Sequence, residues 1–425
     1  MNIKSSIWRI TLGIILTSFY VAIYFFPERL GLRIETPNEG LIGFFDPLSI
    51  WLKKVPASQW FVYGCIYTFF VLTFGLVFII KHRNHSYQLL RTLSVMFFQL
   101  SFAFLIPEFL QRLNYPYLDL KNMWPLNYYY FFDWHLDGLI HSGQIGILLL
   151  SLGLILTFII SPLLTYKYGK RWYCSWVCGC GGLAETAGDA FRQYSNKSSL
   201  AWKVERWLIY PILFIVFLMT ISVLHSYLEY KFIFSISVIS FLLMLYLWIT
   251  YDHHRFIGLP LVAKKIFLGF SLFTSLGLMQ AYFTQWPPFL IDPYTLRSAY
   301  GFLIGSLFSG VIGVGFYPIL GNRVWCRFGC PMAAILGFQQ KFLSRFRIQS
   351  NASLCIACGN CSTYCEMGID VRAYALAGKD IKRSSCVGCG ICESICPRGV
   401  LLLSTTMGPN FQNEADPIDY LYAVK

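Results

Sequence analysis

Long apolar stretches constrain this 425-residue chain more than any other feature of its sequence. A helix needs about 20 predominantly apolar residues to cross a bilayer. Stretches of roughly this length occur at residues 10–26, 60–80, 92–110, 139–164, 207–225, 232–251, 266–283 and 301–320. Only 13% of the residues are charged and 56% are hydrophobic, which is typical of a membrane protein. The sequence therefore predicts an all-α polytopic membrane bundle of about eight transmembrane helices in contact with the lipid bilayer.

Lys and Arg residues concentrate in the loops that follow the second, fourth and sixth apolar stretches. The positive-inside rule assigns such loops to the cytoplasm. Arg29, Arg33, Lys53 and Lys54 are exceptions in the loop after the first stretch, where acidic residues accompany them. We expect a multi-pass protein of the bacterial inner (cytoplasmic) membrane with both termini in the cytoplasm. The same rule accounts for the net charge of +13, so nucleic acid is not expected as a partner.

Two cysteine runs of identical spacing follow the last apolar stretch. They are Cys355, Cys358, Cys361 and Cys365, and then Cys386, Cys389, Cys392 and Cys396. Each run reads CxxCxxCxxxC, and the second ends in Cys396-Pro397, as in the runs that hold [4Fe-4S] clusters in bacterial two-cluster ferredoxins. Zinc is the alternative, but zinc sites typically use two CxxC pairs with a longer gap. The sequence predicts two [4Fe-4S] clusters in a cytoplasmic α+β ferredoxin-like domain at 346–405, followed by a tail at 406–425.

In this motif the fourth cysteine of each run ligates the other cluster. By that rule one set is Cys355, Cys358, Cys361 and Cys396, and the other is Cys386, Cys389, Cys392 and Cys365. Gly359, Gly388 and Gly390 fit the tight turns whose amides point at the cluster. Glu366 follows Cys365 where proline is typical, so the turn after this ligand is less predictable from sequence.

A second pattern occurs after the fourth and again after the eighth apolar stretch. Residues 169–178 and 321–330 both read GxRxxCxxxC. The repeat divides the chain into a transmembrane half at 1–168, a cytoplasmic cysteine loop at 169–204, a second transmembrane half at 205–320, and a segment at 321–345 that contains the second motif and a connecting helix. Cysteines at positions i and i+4 share one face of a helix. If the halves pack with pseudo-twofold symmetry, Cys174, Cys178, Cys326 and Cys330 converge at the cytoplasmic membrane edge.

Four thiolates at this edge would hold a third iron–sulfur centre or a single soft metal ion. Cys180 is an additional candidate ligand. The alternative is a set of buried free thiols, because cysteine is among the most buried residue types. We expect Arg171 and Arg323 to offset the charge of the thiolates, and Trp172 and Trp325 to shield them from water.

Polar residues inside the apolar stretches give weaker signals. Gln99, Glu108, Gln144, His225 and Gln280 could line a quinone pocket or a proton path, or lie at interfacial ends of helices. The sequence has no CxxCH motif, no GxGxxG fingerprint after a strand and no Walker A loop, so haem, nicotinamide and ATP are not predicted.

Two loops rich in aromatic residues lie on the side opposite the cysteine motifs, at 124–134 and 286–300. They hold equivalent places in the two halves, so we expect them to pack together as a cap. A plain interfacial aromatic belt is the favoured interpretation, and a docking surface for an electron-transfer partner is the alternative.

The order of two membrane CxxxC motifs and two CxxCxxCxxxC runs resembles the NapH and NosR group of membrane-bound polyferredoxins, over residues 161–400. The second motif, Trp325 to Pro331, matches fully, whereas Gly179 and Cys180 follow the first motif where that family usually has proline. NosR-type members carry an amino-terminal flavin-binding domain, which has no counterpart before the first apolar stretch here. The resemblance implies a protein that moves electrons between the cytoplasm or quinone pool and periplasmic reductases of nitrate or nitrous oxide respiration.

The leading hypothesis is therefore an inner-membrane iron–sulfur electron-transfer protein. Its expected partners are a membrane or periplasmic redox protein, which could carry flavin, and a quinone. Two alternatives stay open: a membrane copper or metal reductase or metallocentre-maturation factor that uses the membrane cysteines, and a redox sensor. The lack of an output domain in the sequence disfavours the sensor.

Overall fold

The computed structural model describes residues 3–33, 36–252, 259, 261–284 and 286–405. Eight helices within these ranges are long and apolar enough to cross a membrane, which confirms the predicted polytopic helical bundle. Spans 1 to 8 are Ile7–Phe25, Gln59–Lys81, Ser86–Arg112, Gly143–Tyr168, Ser199–Tyr227, Lys231–Tyr251, Leu261–Thr284 and Pro293–Gly315. The tail predicted at 406–425 lies outside the described residues, as does Arg255 among the basic loop residues.

Shorter helices lie at both ends of the spans. Spans 2, 4, 6 and 8 end on one face of the bundle, called here the ferredoxin face because the C-terminal domain packs there; the other is the opposite face. The short helices that follow spans 4 and 8 on the ferredoxin side are Arg171–Cys174, Gly179–Glu185, Asp189–Tyr194, Tyr317–Leu320, Val324–Phe328 and Pro331–Phe342. Those between spans at the opposite face are Pro27–Leu30, Gly40–Phe44, Asp46–Lys53, Asp133–His141 and Pro288–Leu290.

Most spans begin several residues from the predicted positions, and the differences at spans 4 and 8 have a clear local cause. Span 4 begins at Gly143 and not at residue 139, because the preceding helix ends at His141 and Gly143 adopts a left-handed conformation with φ of 73°. Span 8 begins at Pro293 and not at residue 301. Asp292 caps this helix by accepting a hydrogen bond from the Thr295 amide at 2.8 Å, and Pro293 fits the first helical position.

The ferredoxin-type region contains little sheet. Strands β1 (Arg347–Ser350) and β2 (Leu401–Ser404) pair antiparallel and join the two ends of the region. Its short helices are Ala352–Leu354, Asn360–Thr363, Val371–Ala377 and Ile391–Ser394. Ile348, Tyr374 and Leu401 are buried in the same apolar core as the membrane cysteines. The region is therefore packed against the membrane bundle and is not separated from it by a linker.

Residues 114–132, called here the inserted loop, enter the helix bundle. Trp124 and Tyr130 are only 6% and 4% exposed. The Trp124 indole donates to Thr220 Oγ1 in span 5 at 3.0 Å, and the Tyr130 hydroxyl donates to the Leu150 carbonyl in span 4 at 2.9 Å. The interpretation as an interfacial belt is wrong for these two rings, because their polar atoms find partners inside the bundle. Irregular backbone is tolerated at this depth only where protein surrounds it.

The expected contact between the two aromatic loops is confirmed. The ring of Phe132 meets Tyr294 edge-to-face at 5.6 Å, and the Arg297 guanidinium lies 5.5 Å from the centroid of the Phe132 ring. These contacts fix the end of the inserted loop against the start of span 8.

Lys53 is a basic residue on the opposite face, where the positive-inside rule does not expect one, but its charge is neutralised. Its ammonium pairs with the Glu108 carboxylate at 3.1 Å, and both side chains are less than a tenth exposed. The pair is neutral overall, so Lys53 does not argue against the predicted orientation in the membrane.

Candidate functional site

The first four-cysteine set lines one cavity. Cys355, Cys358 and Cys361 contribute from a single loop, and Cys396 reaches the same cavity from the end of the second run. Ala357 and Gly359 adopt left-handed backbone with φ of 58° and 81°, which curls the loop around the cavity. The structure thus brings together the cysteines that the crossed-ligation rule groups.

The second set lies deeper in the protein. Cys386 and Cys392 are buried, and Cys365 interacts electrostatically with both. Burial raises the pKa of the Cys386 thiol to about 11 and that of the Cys389 thiol to about 12. These thiols therefore stay protonated at neutral pH until a metal centre displaces the protons.

The loop of the second set docks directly on the first membrane cysteine motif. Ser175 Oγ donates to the Val387 carbonyl at 2.9 Å, and Gln340 Nε2 donates to the Cys386 carbonyl at 2.7 Å. From span 3, Gln88 Nε2 donates to the Cys389 carbonyl at 3.0 Å. All three side chains donate to backbone carbonyls of the cysteine loop, so they fix its position relative to the membrane motif.

Gly388 is required at this contact. Its φ is 63°, and an added Cβ would lie 2.7 Å from Arg171 Cβ and 2.9 Å from Phe346 Cζ. The Arg171 guanidinium packs over the Phe346 ring at 4.7 Å. The expectation that Arg171 lies beside the membrane thiolates is therefore wrong, because its side chain turns to the ferredoxin region and its aromatic rings.

The four membrane cysteines come together. Cys174, Cys178, Cys326 and Cys330 are all buried in one core with Trp325, and electrostatic interactions link Cys330 to the other three. Cys180 is close as well, since its thiol and that of Cys178 are hydrogen-bonded to one another. All fourteen cysteines are free.

These cysteines lie deeper than the predicted membrane edge. An added Cβ at Gly179 would lie 2.6 Å from Gln99 Oε1 in span 3 and 3.7 Å from Tyr67 Cε1 in span 2. At 1.5 Å per residue, Tyr67 is about 12 Å from the start of span 2 at Gln59 and about 21 Å from its end at Lys81. The edge position is wrong because the chain re-enters the bundle before Cys178 and returns along helix Gly179–Glu185.

Arg323 carries the charge compensation that the sequence assigned to two arginines. It is 1% exposed, and its Nη1 lies 3.6 Å from Cys326 Sγ and 3.2 Å from the Cys174 carbonyl. Trp325 is buried beside the cysteines, as expected, whereas Trp172 donates its indole N–H to Thr165 Oγ1 at 2.9 Å and is only half-buried.

A buried ion network connects Arg323 to the second cysteine set. Arg323 pairs with Glu366 at 3.1 Å and also with Glu185. Glu366 pairs with Arg192 at 2.6 Å, and Glu185 pairs with Arg91. Burial alone would raise the pKa of Glu366, but the Arg323 and Arg192 guanidinium groups outweigh it and hold the pKa below its usual value.

The ion network explains why a glutamate, Glu366, follows Cys365. Proline is usual after this cysteine, whereas here a 1% exposed carboxylate bridges the ferredoxin region to Arg323 of the membrane motif. Sequence reasoning missed Glu185, Arg91 and Arg192, and the only available signal was the unexpected residue after Cys365.

Arg91 Nε and Nη2 have no hydrogen-bond partner although they are buried near Cys389. Orphaned donors beside a thiol set fit a negatively charged group held there.

The inserted loop reaches the same cysteines from the other side. The Tyr173 hydroxyl donates to the Lys121 carbonyl at 2.8 Å, and Lys121 Nζ would lie 2.7 Å from a Cβ at Gly179. The Lys121 ammonium is close enough to Cys178 and Cys180 to interact with both electrostatically. Sequence analysis did not single out Lys121, because no pattern in the surrounding sequence indicates that it lies inside the bundle.

The five polar candidates for a quinone pocket do not meet. Gln99 alone lies beside the cysteines, where its Nε2 donates to Thr68 Oγ1 at 3.1 Å. The other four lie near the ends of spans at the opposite face; they are Glu108, Gln144, His225 and Gln280. A common pocket made of all five is not present in the part of the chain that the structure describes.

The spacing of the thiols bears on the kind of metal centre that they can hold. Within the described ranges, no three His, Cys, Asp or Glu side chains are grouped closely enough to hold one metal ion as they stand. In a four-iron cube each thiolate binds a different iron, so the ligands are spaced more widely than those of one ion.

Comparisons with known proteins agree with the cysteine chemistry. Residues 347–397 match the family model described as a 4Fe-4S dicluster domain. Residues 150–198 and 302–348 each match the model described as a 4Fe-4S binding domain, which agrees with the repeat at the two membrane motifs. The chain therefore carries ferredoxin-type [4Fe-4S] domains in both regions.

A curated relative was also found in Escherichia coli (strain K12). It is named "Putative electron transport protein YccM" and is 26% identical over 219 residues, which are 51% of this chain and 46% of the relative. The match thus spans about half the length of each protein. No solved structure shows significant similarity to the chain.

Proposed function

We propose that the protein is an iron–sulfur electron-transfer protein of the bacterial inner membrane, with its ferredoxin face in the cytoplasm. The observation that carries this proposal is the direct docking of the second cysteine set on the first membrane motif through Ser175 and Val387. Two thiol groups of different depth share one buried core, and a similar protein is named for electron transport. Each cluster, when bound, accepts and releases one electron.

The side chains have distinct roles in this proposal. Cys355, Cys358, Cys361 and Cys396 would hold one [4Fe-4S] cluster, and Cys386, Cys389, Cys392 and Cys365 the other. Cys174, Cys178, Cys326 and Cys330 would hold a third centre, with Cys180 as an alternative ligand. Arg323 and Lys121 offset negative charge at the third site, and Trp325 keeps water from it.

The proposed direction of electron flow is from the ferredoxin face to the opposite face. The exposed Cys358 loop is accessible to a soluble or quinol-linked donor, and the opposite face would deliver electrons to a membrane or periplasmic redox partner. Respiratory reductases of the nitrate or nitrous oxide type are the proposed destination, on the resemblance of the motifs. Reduction of purified partner proteins in proteoliposomes tests this assignment.

A redox titration followed by electron paramagnetic resonance tests the core of the proposal. We expect two reversible one-electron [4Fe-4S] signals from the ferredoxin region. Cys358→Ser should remove or alter one and Cys389→Ser the other. Loss of both signals in each variant would contradict two separate sets, and a protein without reversible signals would contradict electron transfer.

A second candidate function is a membrane copper reductase or a metallocentre-maturation factor. The fifth thiol, Cys180, hydrogen-bonded to Cys178, favours it, because closely spaced thiols bind soft ions such as Cu(I). It predicts copper bound to the anaerobically purified protein and cupric reduction that disappears in Cys178→Ser. Copper-free protein with intact clusters would rule it out.

A further inference from the structure

Aromatic rings form a row between the membrane cysteines and the opposite face. In aromatic row A the ring centroids of Tyr67 and Tyr63 are 5.6 Å apart, those of Tyr63 and Tyr24 are 5.9 Å apart, and those of Tyr24 and Trp60 are 4.7 Å apart. Spacings of this size are those of directly packed rings. The row is therefore continuous from one end to the other.

Aromatic row B runs through the inserted loop. Tyr300 in span 8 is 4.8 Å from Tyr128, Tyr128 is 5.3 Å from Tyr129, and Tyr129 stacks on Trp134 at 5.6 Å. Tyr24 of row A and Tyr128 of row B interact electrostatically, so the two rows approach one another.

The inner end of row A lies beside the membrane cysteines, and the inner end of row B is close enough to interact with them. Tyr67 would be 3.7 Å from a Cβ at Gly179, and it interacts electrostatically with Cys178 and Cys180. Tyr300 interacts in the same way with Cys330. Each half of the cysteine site therefore has its own row.

The outer ends of both rows are accessible. Trp60 is 53% exposed and is the second residue of the helix Gln59–Lys81 at the opposite face. Trp134 is 48% exposed at the start of the helix Asp133–His141 on the same face. Tyr67 is about 12 Å from the start of its helix, so row A bridges a short distance.

Packing alone does not explain the combination of these features. An interfacial belt places tryptophan and tyrosine at the depth of the lipid headgroups. Rows A and B instead extend inward towards the thiols, and each ends outward in one tryptophan. Electron tunnelling weakens exponentially with distance and is favoured by a closely packed medium, which a chain of touching rings provides.

We propose that rows A and B conduct single electrons between the membrane cysteine site and a one-electron carrier at the opposite face. The inference rests on the proposed function, because it needs a redox centre at the membrane cysteines. One electron lost by that centre is gained by the carrier, no covalent bond forms or breaks, and no proton is transferred. The rings are bridges for tunnelling and are not oxidised or reduced themselves.

The test uses sealed vesicles that expose the ferredoxin face to the outside. Dithionite is added outside, and the reduction of cytochrome c trapped inside is followed by its absorbance. The full-length protein is compared with a variant that has leucine at Tyr63, Tyr67, Tyr128 and Tyr129, and with a variant that has phenylalanine at the same four positions. Tyr246→Leu, in span 6 and outside both rows, is the matched control. Iron content and the resonance spectra of the clusters are measured for every variant.

We expect the wild type, the phenylalanine variant and Tyr246→Leu to reduce trapped cytochrome c at similar rates. The leucine variant should lose most of the rate while its iron content and cluster spectra stay unchanged. An unchanged rate in the leucine variant would overturn the proposal. A phenylalanine variant as slow as the leucine variant would also overturn it, because hydroxyl groups and not rings would then be needed.

Two further results separate this inference from the proposed function. If dithionite reduces the clusters in wild-type vesicles but cytochrome c stays oxidised, the route is wrong and the electron-transfer function stands. Clusters that cannot be reduced at all would refute the function instead. If the four-site leucine variant loses iron, variants of one row alone replace it; each should lose part of the rate with full iron, and an unchanged rate in both would overturn the route.

Discussion

At the scale of single residues, Glu366 and Arg323 decide how the ferredoxin-type region meets the membrane cysteine motifs. Arg323 Nη1 lies 3.6 Å from Cys326 Sγ, and its other nitrogens pair with Glu185 and Glu366. One arginine thus contacts both a membrane thiol and the carboxylate that follows Cys365. Removing one member of a buried ion pair typically costs about 3–5 kcal/mol, because the remaining charge is left uncompensated.

Glu366→Gln should raise the midpoint potential of the cluster held by the second cysteine set. The substitution removes a negative charge next to Cys365 and leaves Arg323 and Arg192 with excess positive charge, and both effects favour the reduced cluster. We expect an increase of about 60 mV or more, which is a tenfold change in a one-electron equilibrium. Redox titration followed by paramagnetic resonance measures it.

Asp380→Asn is the matched control for that experiment, because Asp380 pairs with Arg347 at 3.6 Å and belongs to the same region. It should leave the potential unchanged. A lower or unaltered potential in Glu366→Gln would show that this carboxylate does not act on the cluster.

Equivalent positions in the two cysteine loops should respond oppositely to substitution. Gly388→Ala places a methyl group 2.7 Å from Arg171 Cβ at a φ of 63°, so the loop should detach from the membrane motif. Ala357 already adopts a φ of 58°, and Ala357→Gly should relieve strain of about 1 kcal/mol. Thermal unfolding and limited proteolysis in detergent should show a less stable Gly388→Ala protein and an Ala357→Gly protein at least as stable as the wild type. Equal effects of the two substitutions would contradict this view of the loops.

At the scale of elements, three irregular segments meet inside the bundle: the two membrane cysteine motifs from the ferredoxin face and the inserted loop from the opposite face. Span 3 is π-helical at Gln99–Leu105, and span 8 is π-helical at Gly301–Gly315. Gln99 lies beside Gly179, and Phe308 in span 8 lies beside Gly329. π-Helical segments are frequent at functional sites, and here they adjoin both cysteine motifs.

Gly181→Ala should disrupt the membrane cysteine site selectively. The new methyl group would overlap the backbone carbonyl of Cys174 and lie 3.0 Å from Arg323 Nη1, so helix Gly179–Glu185 must move away from the first cysteine motif. We expect loss of the iron assigned to the third centre, while the ferredoxin-region clusters keep their spectra. Iron analysis and paramagnetic resonance measure both.

Gly269→Ala in span 7 is the control, since nothing lies within 4 Å of the added Cβ. It should leave iron content and spectra as in the wild type. A Gly181→Ala protein with full iron would mean that close approach at this glycine does not maintain the cysteine site.

At the scale of the whole molecule, the sequence predicted the architecture because its signals are long or repeated. Each span is an extended apolar stretch, and the cysteine spacings occur in matched pairs. The inserted loop escaped prediction because Trp124 and Tyr130 look the same in sequence whether they lie in an interface or in a bundle. Arg171 and Arg323 hold the same motif position yet point to different partners, which depend on Glu366 and Phe346 far along the chain.

The depth of the membrane cysteine site determines which faces of the protein it can exchange electrons with. A site at the edge of the membrane would serve one face only, whereas the site near the middle of span 2 can communicate with both. The ferredoxin region contacts it through Ser175, and the inserted loop contacts it through Lys121. We therefore propose a third thiolate-bound centre inside the bundle.

Iron and sulfide analysis tests for this centre in the anaerobically purified protein and in a variant with Cys174, Cys178, Cys326 and Cys330 replaced by serine. Two [4Fe-4S] clusters contain about eight iron atoms. We expect more than eight iron atoms in the wild type and about eight in the variant, with the ferredoxin-region spectra unchanged. About eight iron atoms in both proteins would contradict a third iron–sulfur centre and assign the membrane cysteines to structure or copper.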